Sequence, residues 1–243
     1  MVKIIVYIAK AIVLLALSIL CVSCRFDVIG KSGDGNVVMK ERIVTSAVNQ
    51  ISVSGNIEAI ITQGDQASVN VEADSNLQEH IIVEAKGDKL DIRTNVNIGD
   101  ASAKRVIITL PNIKSIEAET ASQVTTKDAI KGDKIEVKAG SGASLKASLL
   151  TPNAKCEAHS GGSLELAGGI QNLEADASSG ASIDATKVKS VNAKCNASSG
   201  GSISVNEVSS LKAEASSGGH INYKGNPDKL EKNASSGGKV QQE

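Results

Sequence analysis

The strongest constraint on the fold is a short Ser-Gly pattern that recurs through the second half of the sequence. Each copy is closed by an aliphatic residue, and the steps between successive closing residues are 19, 19, 20, 18 and 19 by subtraction. The closing residues are Leu145, Leu164, Ile183, Ile203, Ile221 and Val240. Self-similarity at a fixed period of this size indicates a solenoid, in which each repeat stacks on its neighbour.

Each repeat contains strands rather than helices. Apolar and charged residues alternate before each Ser-Gly turn, most clearly over residues 173–177 (LEADA), and a shorter alternating run follows the turn. Side chains alternate between the two faces of a strand, so each run is expected to have one buried apolar face and one solvent-exposed charged face. A repeat of this length cannot hold two or three such strands and a capped helix as well. The sequence therefore predicts an all-β parallel β-helix with about 19 residues per coil, right-handed by the usual chirality of parallel crossovers.

The repeats assign one folded body to residues 41–243. Residues 111–243 carry the regular Ser-Gly repeats, whereas residues 41–110 contain less regular strands, expected to form the first coils or a β-rich cap. Residues 24–40 are polar and glycine-rich, which is typical of a flexible spacer. Lys232 stands where other repeats have an inward alanine, a departure that is common in a terminal repeat that caps the stack.

The first 23 residues have the organisation of a secretory signal. Two lysines precede an apolar run that is too short to span a bilayer, and the run ends just before Cys24. The segment resembles a bacterial lipobox, although Leu20 lies four places before the cysteine rather than the usual three. We therefore expect a lipoprotein, acylated on Cys24 with palmitate or a similar chain and attached to the outer membrane of a cell envelope, on its periplasmic face or its outer surface. A plain transmembrane anchor and a soluble secreted product are the alternatives.

The charge balance argues against a nucleic-acid partner. The sequence has 26 basic and 27 acidic residues, and removing the leader with its two lysines leaves 24 against 27, a net charge of −3. Nucleic-acid binding requires a basic stripe, and stacking on bases requires aromatic side chains, of which the sequence has three.

No set of residues with catalytic or metal-binding spacing emerges, so we predict no enzymatic activity, no metal and no cofactor. His159 and His220 occupy turn positions that other repeats fill with serine, and no histidine pair has metal-ligand spacing. Some parallel β-helices cleave acidic glycans, and that alternative stays open. The repeats lack the basic partner that such a site usually needs, because no arginine follows Arg105.

Cys156 and Cys195 are predicted to be free thiols that fill the core. They lie 39 residues apart, which places them two coils apart with Ala175 between them. Two coils at about 4.8 Å each give a separation of roughly 9.6 Å, and a disulfide needs Cα atoms within about 7 Å.

The Ser-Gly turns give the surface its one repeated feature. Stacked serines would form a ladder of hydroxyl groups along one edge of the solenoid, and its members are Ser179, Ser199, Ser217 and Ser236. Turn chemistry alone accounts for this pattern, whereas a functional ladder would make a weak, polyvalent contact with a repeating glycan or another protein. The outward charged residues, such as Glu117, Glu136 and Lys155, are predicted to stack in ladders of mixed sign on a solvated face.

Several motifs before and within the repeats occur in the order found in one known family. They include residues 33–38 (GDGNVV), 51–57 (ISVSGNI), 69–73 (VNVEA), 87–92 (GDKLDI) and the later Ser-Gly-Gly copies. This string resembles the DUF2807 family, described as a putative auto-transporter adhesin, head GIN domain, over roughly residues 33–240. The resemblance implies a secreted or lipid-anchored β-helical protein of Gram-negative bacteria, with no established catalytic or binding residue to transfer.

Together these features predict a non-enzymatic lipoprotein of the cell envelope that presents a β-helical surface for adhesion or as a scaffold. A polysaccharide-active β-helix enzyme and an inward-facing periplasmic structural or regulatory partner are the alternatives.

Overall fold

The structure, a computed structural model, describes residues 30–44, 47–206 and 208–243. It confirms the predicted fold class: parallel coils of about 19 residues stack into a β-solenoid of about seven turns. Within these described ranges there is no α-helix, and the one helical element is a short 3-10 turn, Ser75–Leu77.

Seven strands form the N-terminal part of the solenoid. They are β1 (Val37–Arg42), β2 (Gln50–Val53), β3 (Glu58–Gln63), β4 (Ser68–Asp74), β5 (Ile81–Lys86), β6 (Lys89–Thr94) and β7 (Lys104–Leu110). Twelve strands form the regular coils. They are β8 (Ser115–Ala118), β9 (Gln123–Thr126), β10 (Ile130–Lys131), β11 (Lys134–Ala139), β12 (Ser144–Ala158), β13 (Ser163–Ala177), β14 (Ser182–Ala197), β15 (Ser202–Val205), β16 (Ser210–Ala215), β17 (His220–Tyr223), β18 (Lys229–Ala234) and β19 (Lys239–Gln242).

Equivalent residues of successive coils lie one above another, as the period predicts. Ile183 is opposite Ile203, and Ile203 is opposite Ile221, in parallel pairings of β14, β15 and β17. The strands before each Ser-Gly turn form one outer face, here called the A face, and the strands after it form the B face. Inward side chains of both faces are small or aliphatic and buried, so one continuous apolar core runs through the coils.

The coil formed by β2 and β3 is in the interior of the stack rather than at its end. β2 is parallel to β6 on one side and to β8 on the other, which places Ile51 opposite both Leu90 and Ile116. β3 lies in the same way between β7 and β9. The coil made by β2 and β3 is therefore enclosed by coils that are built from later residues.

Antiparallel strands close the N-terminal end. β4 pairs antiparallel with β7 and with β1, and β5 pairs antiparallel with β6. The turn between β4 and β5 buries Leu77 completely, and the side-chain amide of Gln78 donates to the carbonyls of Val38 and Val71 at 2.8 and 3.0 Å. Residues 41–110 thus contain a cap of antiparallel strands in addition to irregular coils.

The folded body begins earlier than the predicted boundary at residue 41. The backbone amide of Gly33 donates to the carbonyl of Asp100 at 2.8 Å, and the amide of Ser75 donates to the carboxylate of Asp34 at 3.2 Å. From residue 31 onwards, the predicted spacer is therefore ordered against the cap. The polar, glycine-rich composition indicated a linker. The sequence alone could not reveal the order, because the partners of Asp34 and Gly33 lie 41 and 67 residues away along the chain. Residues 24–29 lie outside the described ranges.

The last described coil is more exposed than the coils before it. All six residues of β18 are exposed, including Leu230, whose counterparts in earlier coils are buried. Lys232 stands opposite Ala213 at an inward position, as the sequence indicated, and its ammonium group lies 5.7 Å from the centre of the Tyr223 ring. A cation over an aromatic face thus covers the end of the core.

Candidate functional site

The Ser-Gly edge is a column of identical tight turns. The first central residue of each turn has a left-handed backbone, with φ of 54° at Ser179, 48° at Ser199 and 49° at Ser217, and the glycine that follows is left-handed as well. The turn at Ser179 is closed by a hydrogen bond from the amide of Ala181 to the carbonyl of Ser178 at 3.1 Å. Two consecutive positive φ values define a type I′ turn, for which asparagine and glycine are the usual residues.

Backbone hydrogen bonds join the turns along the solenoid axis. The amide of Gly180 donates to the carbonyl of Ser199 at 3.1 Å, and the amide of Gly200 donates to the carbonyl of Ser217 at 3.2 Å. These bonds place Ser179, Ser199, Ser217 and Ser236 in one column with exposed side chains. Left-handed serine costs of order 1 kcal/mol relative to glycine, and the strain recurs in six coils because Ser141 and Ser160 share it.

A second serine column runs beside the first on the B face. Ser144 is opposite Ser163, Ser163 is opposite Ser182, and Ser182 is opposite Ser202. The hydroxyl groups of Ser182 and Ser163 are 3.3 Å apart and hydrogen-bonded. We call the two columns together the serine strip, and its members are Ser141, Ser144, Ser160, Ser163, Ser179, Ser182, Ser199, Ser202, Ser217 and Ser236. The second column was visible in the sequence as a serine three places after the edge serine in four of the six repeats, whereas His220 and Lys239 occupy that place in the last two.

The A face carries ladders of charge and amide groups. Lys138 forms an ion pair with Glu157 at 2.8 Å, and hydrogen bonds from Lys138 and then Lys155 lower the pKa of Glu157 below its usual value. The predicted ladders are correct except at their first member, because Glu117 is opposite Lys138 rather than Glu136. Ile116 is opposite Val137 in β11, so this coil is 21 residues long, and a prediction based on a step of 19 misplaces Glu117.

The two buried thiols are protonated and therefore poor nucleophiles near neutral pH. Cys156 is opposite Ala175, which is opposite Cys195, and both cysteines are free and buried. Burial raises the pKa of Cys156 well above its usual range and that of Cys195 to about 12, so neither is a thiolate near neutral pH. The prediction of two unpaired core thiols is confirmed.

The histidines do not come together. His159 Nε2, in the regular coils, lies 3.4 Å from a carboxylate oxygen of Glu119, whereas His80 contacts Lys31 and Asn95 near the N-terminal cap. In the part of the chain that the structure describes, no group of three His, Cys, Asp or Glu side chains is arranged to hold a metal ion.

Two clefts open near the N-terminal coils. A cleft of about 570 Å³ lies where the loop before β8 passes the loop between β10 and β11. A smaller cleft of about 350 Å³ lies beside Arg105, whose guanidinium pairs with Glu58 at 3.0 Å and Glu72 at 2.9 Å. Neither cleft touches the serine strip.

The predicted lipidation site, Cys24, lies outside the described residues. Within residues 30–44, 47–206 and 208–243, no helix is long and apolar enough to span a bilayer.

Comparison with known families agrees with this geometry. Residues 47–227, which are more than half of the chain, match DUF2807, described as a putative auto-transporter adhesin, head GIN domain. The chain belongs to the DUF2807 family. None of the curated protein sequences matches it.

Solved structures share the fold of this DUF2807 chain. A putative adhesin from Bacteroides fragilis has a TM-score of 0.77 at 17% identity, with 88% of this chain and 98% of that chain covered. A putative lipid binding protein from Parabacteroides distasonis has a TM-score of 0.73 at 20% identity, with 88% and 99% covered. A putative adhesin from the same organism has a TM-score of 0.72 at 21% identity, with 87% and 99% covered.

Proposed function

We propose that this protein is a non-enzymatic component of a bacterial cell envelope, held at the outer membrane by lipid on Cys24, that makes adhesive contacts through the serine strip. The observation that carries the proposal is the left-handed serine, which recurs at the same position in six coils. Glycine would satisfy the turn without strain, and recurrent backbone strain is typical of sites that contact a ligand.

The strip suits a partner that is itself repetitive. Its hydroxyl groups recur at about the 4.8 Å spacing of adjacent strands, each able to donate and accept one hydrogen bond or more. A single exposed contact of this kind is weak, but contacts on successive coils add when one partner spans them. A repeating glycan or an extended polypeptide segment has this character.

The chemistry elsewhere supports a binding role over catalysis. A nucleophilic thiol needs a depressed pKa, whereas burial raises the pKa of both Cys156 and Cys195. The carboxylates of the A face, such as Glu157 and Glu174, are engaged by lysines. Family membership adds support, since DUF2807 is described as an adhesin head.

Removing the hydroxyl groups of the edge tests the contact role. Ser179→Gly, Ser199→Gly and Ser217→Gly together keep the positive φ that the turns require and delete three hydroxyls. We expect unchanged thermal stability or a small gain, and a loss of at least half of the adhesion of cells or beads that carry the protein. The matched control replaces three outward lysines of the A face, Lys155, Lys194 and Lys212, by glutamine. Adhesion that survives the glycine variant and falls in the control would move the contact surface to the A face.

Membrane attachment is tested separately. Cys24→Ser is expected to abolish incorporation of labelled palmitate and to release the protein from the membrane fraction. Protease treatment of intact cells then distinguishes an outward-facing adhesin, which is cleaved, from an inward-facing periplasmic partner, which is protected. Retention of the variant in the membrane fraction without label would indicate a transmembrane anchor instead.

A further inference from the structure

The larger cleft is a gap between two loops, at a corner that the next three coils form with continuous strands. At this corner β12, β13 and β14 run straight through, whereas β10 ends at Lys131 and β11 starts at Lys134. The intervening Gly132 has no side chain, and a Cβ there would lie 3.5 Å from the buried side chain of Ile135 and 3.8 Å from the carbonyl oxygen of Ile113. The resulting volume of about 570 Å³ is within the range of small-ligand sites.

Three lysines surround this cleft. Lys114, Lys131 and Lys134 line it, and all three are exposed. Lys134 forms an ion pair with Glu136 at 2.9 Å, whereas Lys114 and Lys131 form no ion pair with any residue in the described ranges. Elsewhere in the regular coils some outward lysines, such as Lys138 and Lys194, have acidic partners, and the cleft differs in bringing two lysines without an ion pair to one opening. Two ammonium groups at one cleft are thus available to an external anion.

The cleft also presents groups that suit hydroxyls. Asp133 and Glu136 line it together with the side-chain amides of Gln50 and Asn112. The amide nitrogen of Gln50 donates to Asp88 at 2.9 Å, which leaves its carbonyl oxygen as an acceptor. A bare phosphate needs donors only, and the two carboxylates would repel it. A ligand with both a negative charge and several hydroxyl groups uses the lysines and the acceptors together.

We propose that this cleft binds an acidic saccharide, a sugar unit bearing a carboxylate or comparable anionic group, with Lys114 and Lys131 as the anion-binding residues. The cleft is separate from the serine strip and can therefore bind a ligand whether or not the strip does. An end group or side branch of a glycan fits a cleft of this size better than a continuous chain does.

The test uses the purified chain, with trimers of galacturonic acid and of galactose as probes in calorimetry, followed by an array of acidic and neutral oligosaccharides. The wild-type protein is expected to bind acidic members in preference to neutral ones, with affinity that falls as salt is raised. Lys114→Met with Lys131→Met is expected to weaken that binding at least tenfold, because each substitution removes a charge-assisted hydrogen bond.

The control is Lys189→Met with Lys239→Met, which removes two exposed lysines far from the cleft along the chain. This control should bind like the wild type, and both double variants should melt like the wild type. No binding to any acidic oligosaccharide would overturn the proposal. Equal loss in the two double variants, or binding of inorganic phosphate as tight as that of the best saccharide, would also overturn it.

Discussion

The two ends of the solenoid solve the same problem in different ways. At the N-terminal end, antiparallel strands and the fully buried Leu77 cover the core. At the C-terminal end the last coil leaves β18 exposed, and the ammonium group of Lys232 over Tyr223 is the main cover. Stacked coils bury each other's interiors, so an end requires either foreign structure or a polar residue. The comparison shows that antiparallel strands cover the core of the first coils, whereas the last described coil has Lys232 over the Tyr223 ring, a contact here called the charged plug.

The largest expected difference between the ends concerns the same substitution at two leucines. Leu77→Ala should lower the free energy of unfolding by about 3 kcal/mol, because it opens a cavity in a fully buried site. Leu230→Ala should cost less than about 1 kcal/mol, since that side chain is 38% exposed. Denaturant unfolding of both variants measures the two values. Equal losses would show that the ends are equally well packed.

A smaller effect is expected inside the regular coils, at the residue that follows each left-handed pair. A Cβ on Gly201 would lie 2.4 Å from the carbonyl oxygen of Ala177, so Gly201→Ala should cost about 1–3 kcal/mol. The equivalent position of the previous coil is Ala181, and Ala181→Gly should cost about 1 kcal/mol or less. Thermal melts compare the pair. A neutral Gly201→Ala variant would mean that the corner relaxes without loss.

The regular coils could be predicted from the sequence, and the N-terminal end could not. A fixed period places like residues over like, which was enough to align Ile183 with Ile203, to place the two cysteines two coils apart in one column, and to assign Lys232 to an inward position. Alternation of apolar residues is the same in parallel and antiparallel strands, so it could not reveal the pairing of β4 with β7.

The candidate site, like the fold, could be predicted only in part from the sequence. The edge serines follow from the repeat, but their left-handed backbone breaks the usual preference for asparagine and glycine, so only the structure reveals the strain. The lysine-lined cleft depends on a gap between two loops, and no local pattern of residues encodes such a gap.

The charged plug can be tested by its effect on association. Lys232→Leu should cost less than about 1 kcal/mol of stability, the usual value of an exposed cation–π contact. It should nevertheless promote self-association, because it leaves an apolar coil end with unpaired strand edges. Lys229→Leu, on the same strand but outward and 72% exposed, is the control. Sedimentation of both variants over a range of concentrations decides the point, and equal association of the two would argue against a plug.

The smallest effect concerns the ion pairs of the middle coils. Hydrogen bonds from Lys138 and Lys155 lower the folded-state pKa of Glu157 below its usual value. This contribution to stability is present above the usual pKa of a glutamate and is lost as pH falls through the lowered folded pKa. Glu157→Gln should therefore reduce stability by less than about 1 kcal/mol at pH 6 and by nothing near pH 2. A difference that persists undiminished at low pH would assign the loss to packing instead.

The enclosed position of β2 has a consequence for biogenesis. Its two neighbours, β6 and β8, follow it along the chain, and β8 is complete only at Ala118. A polypeptide emerging from the ribosome or from a translocation pore cannot add finished turns one by one from its first residue. Nearly half of it must be available before this layer has both of its partners. Such distant pairings form slowly, so the newly made protein is expected to remain open to chaperones and proteases until the layer is sealed.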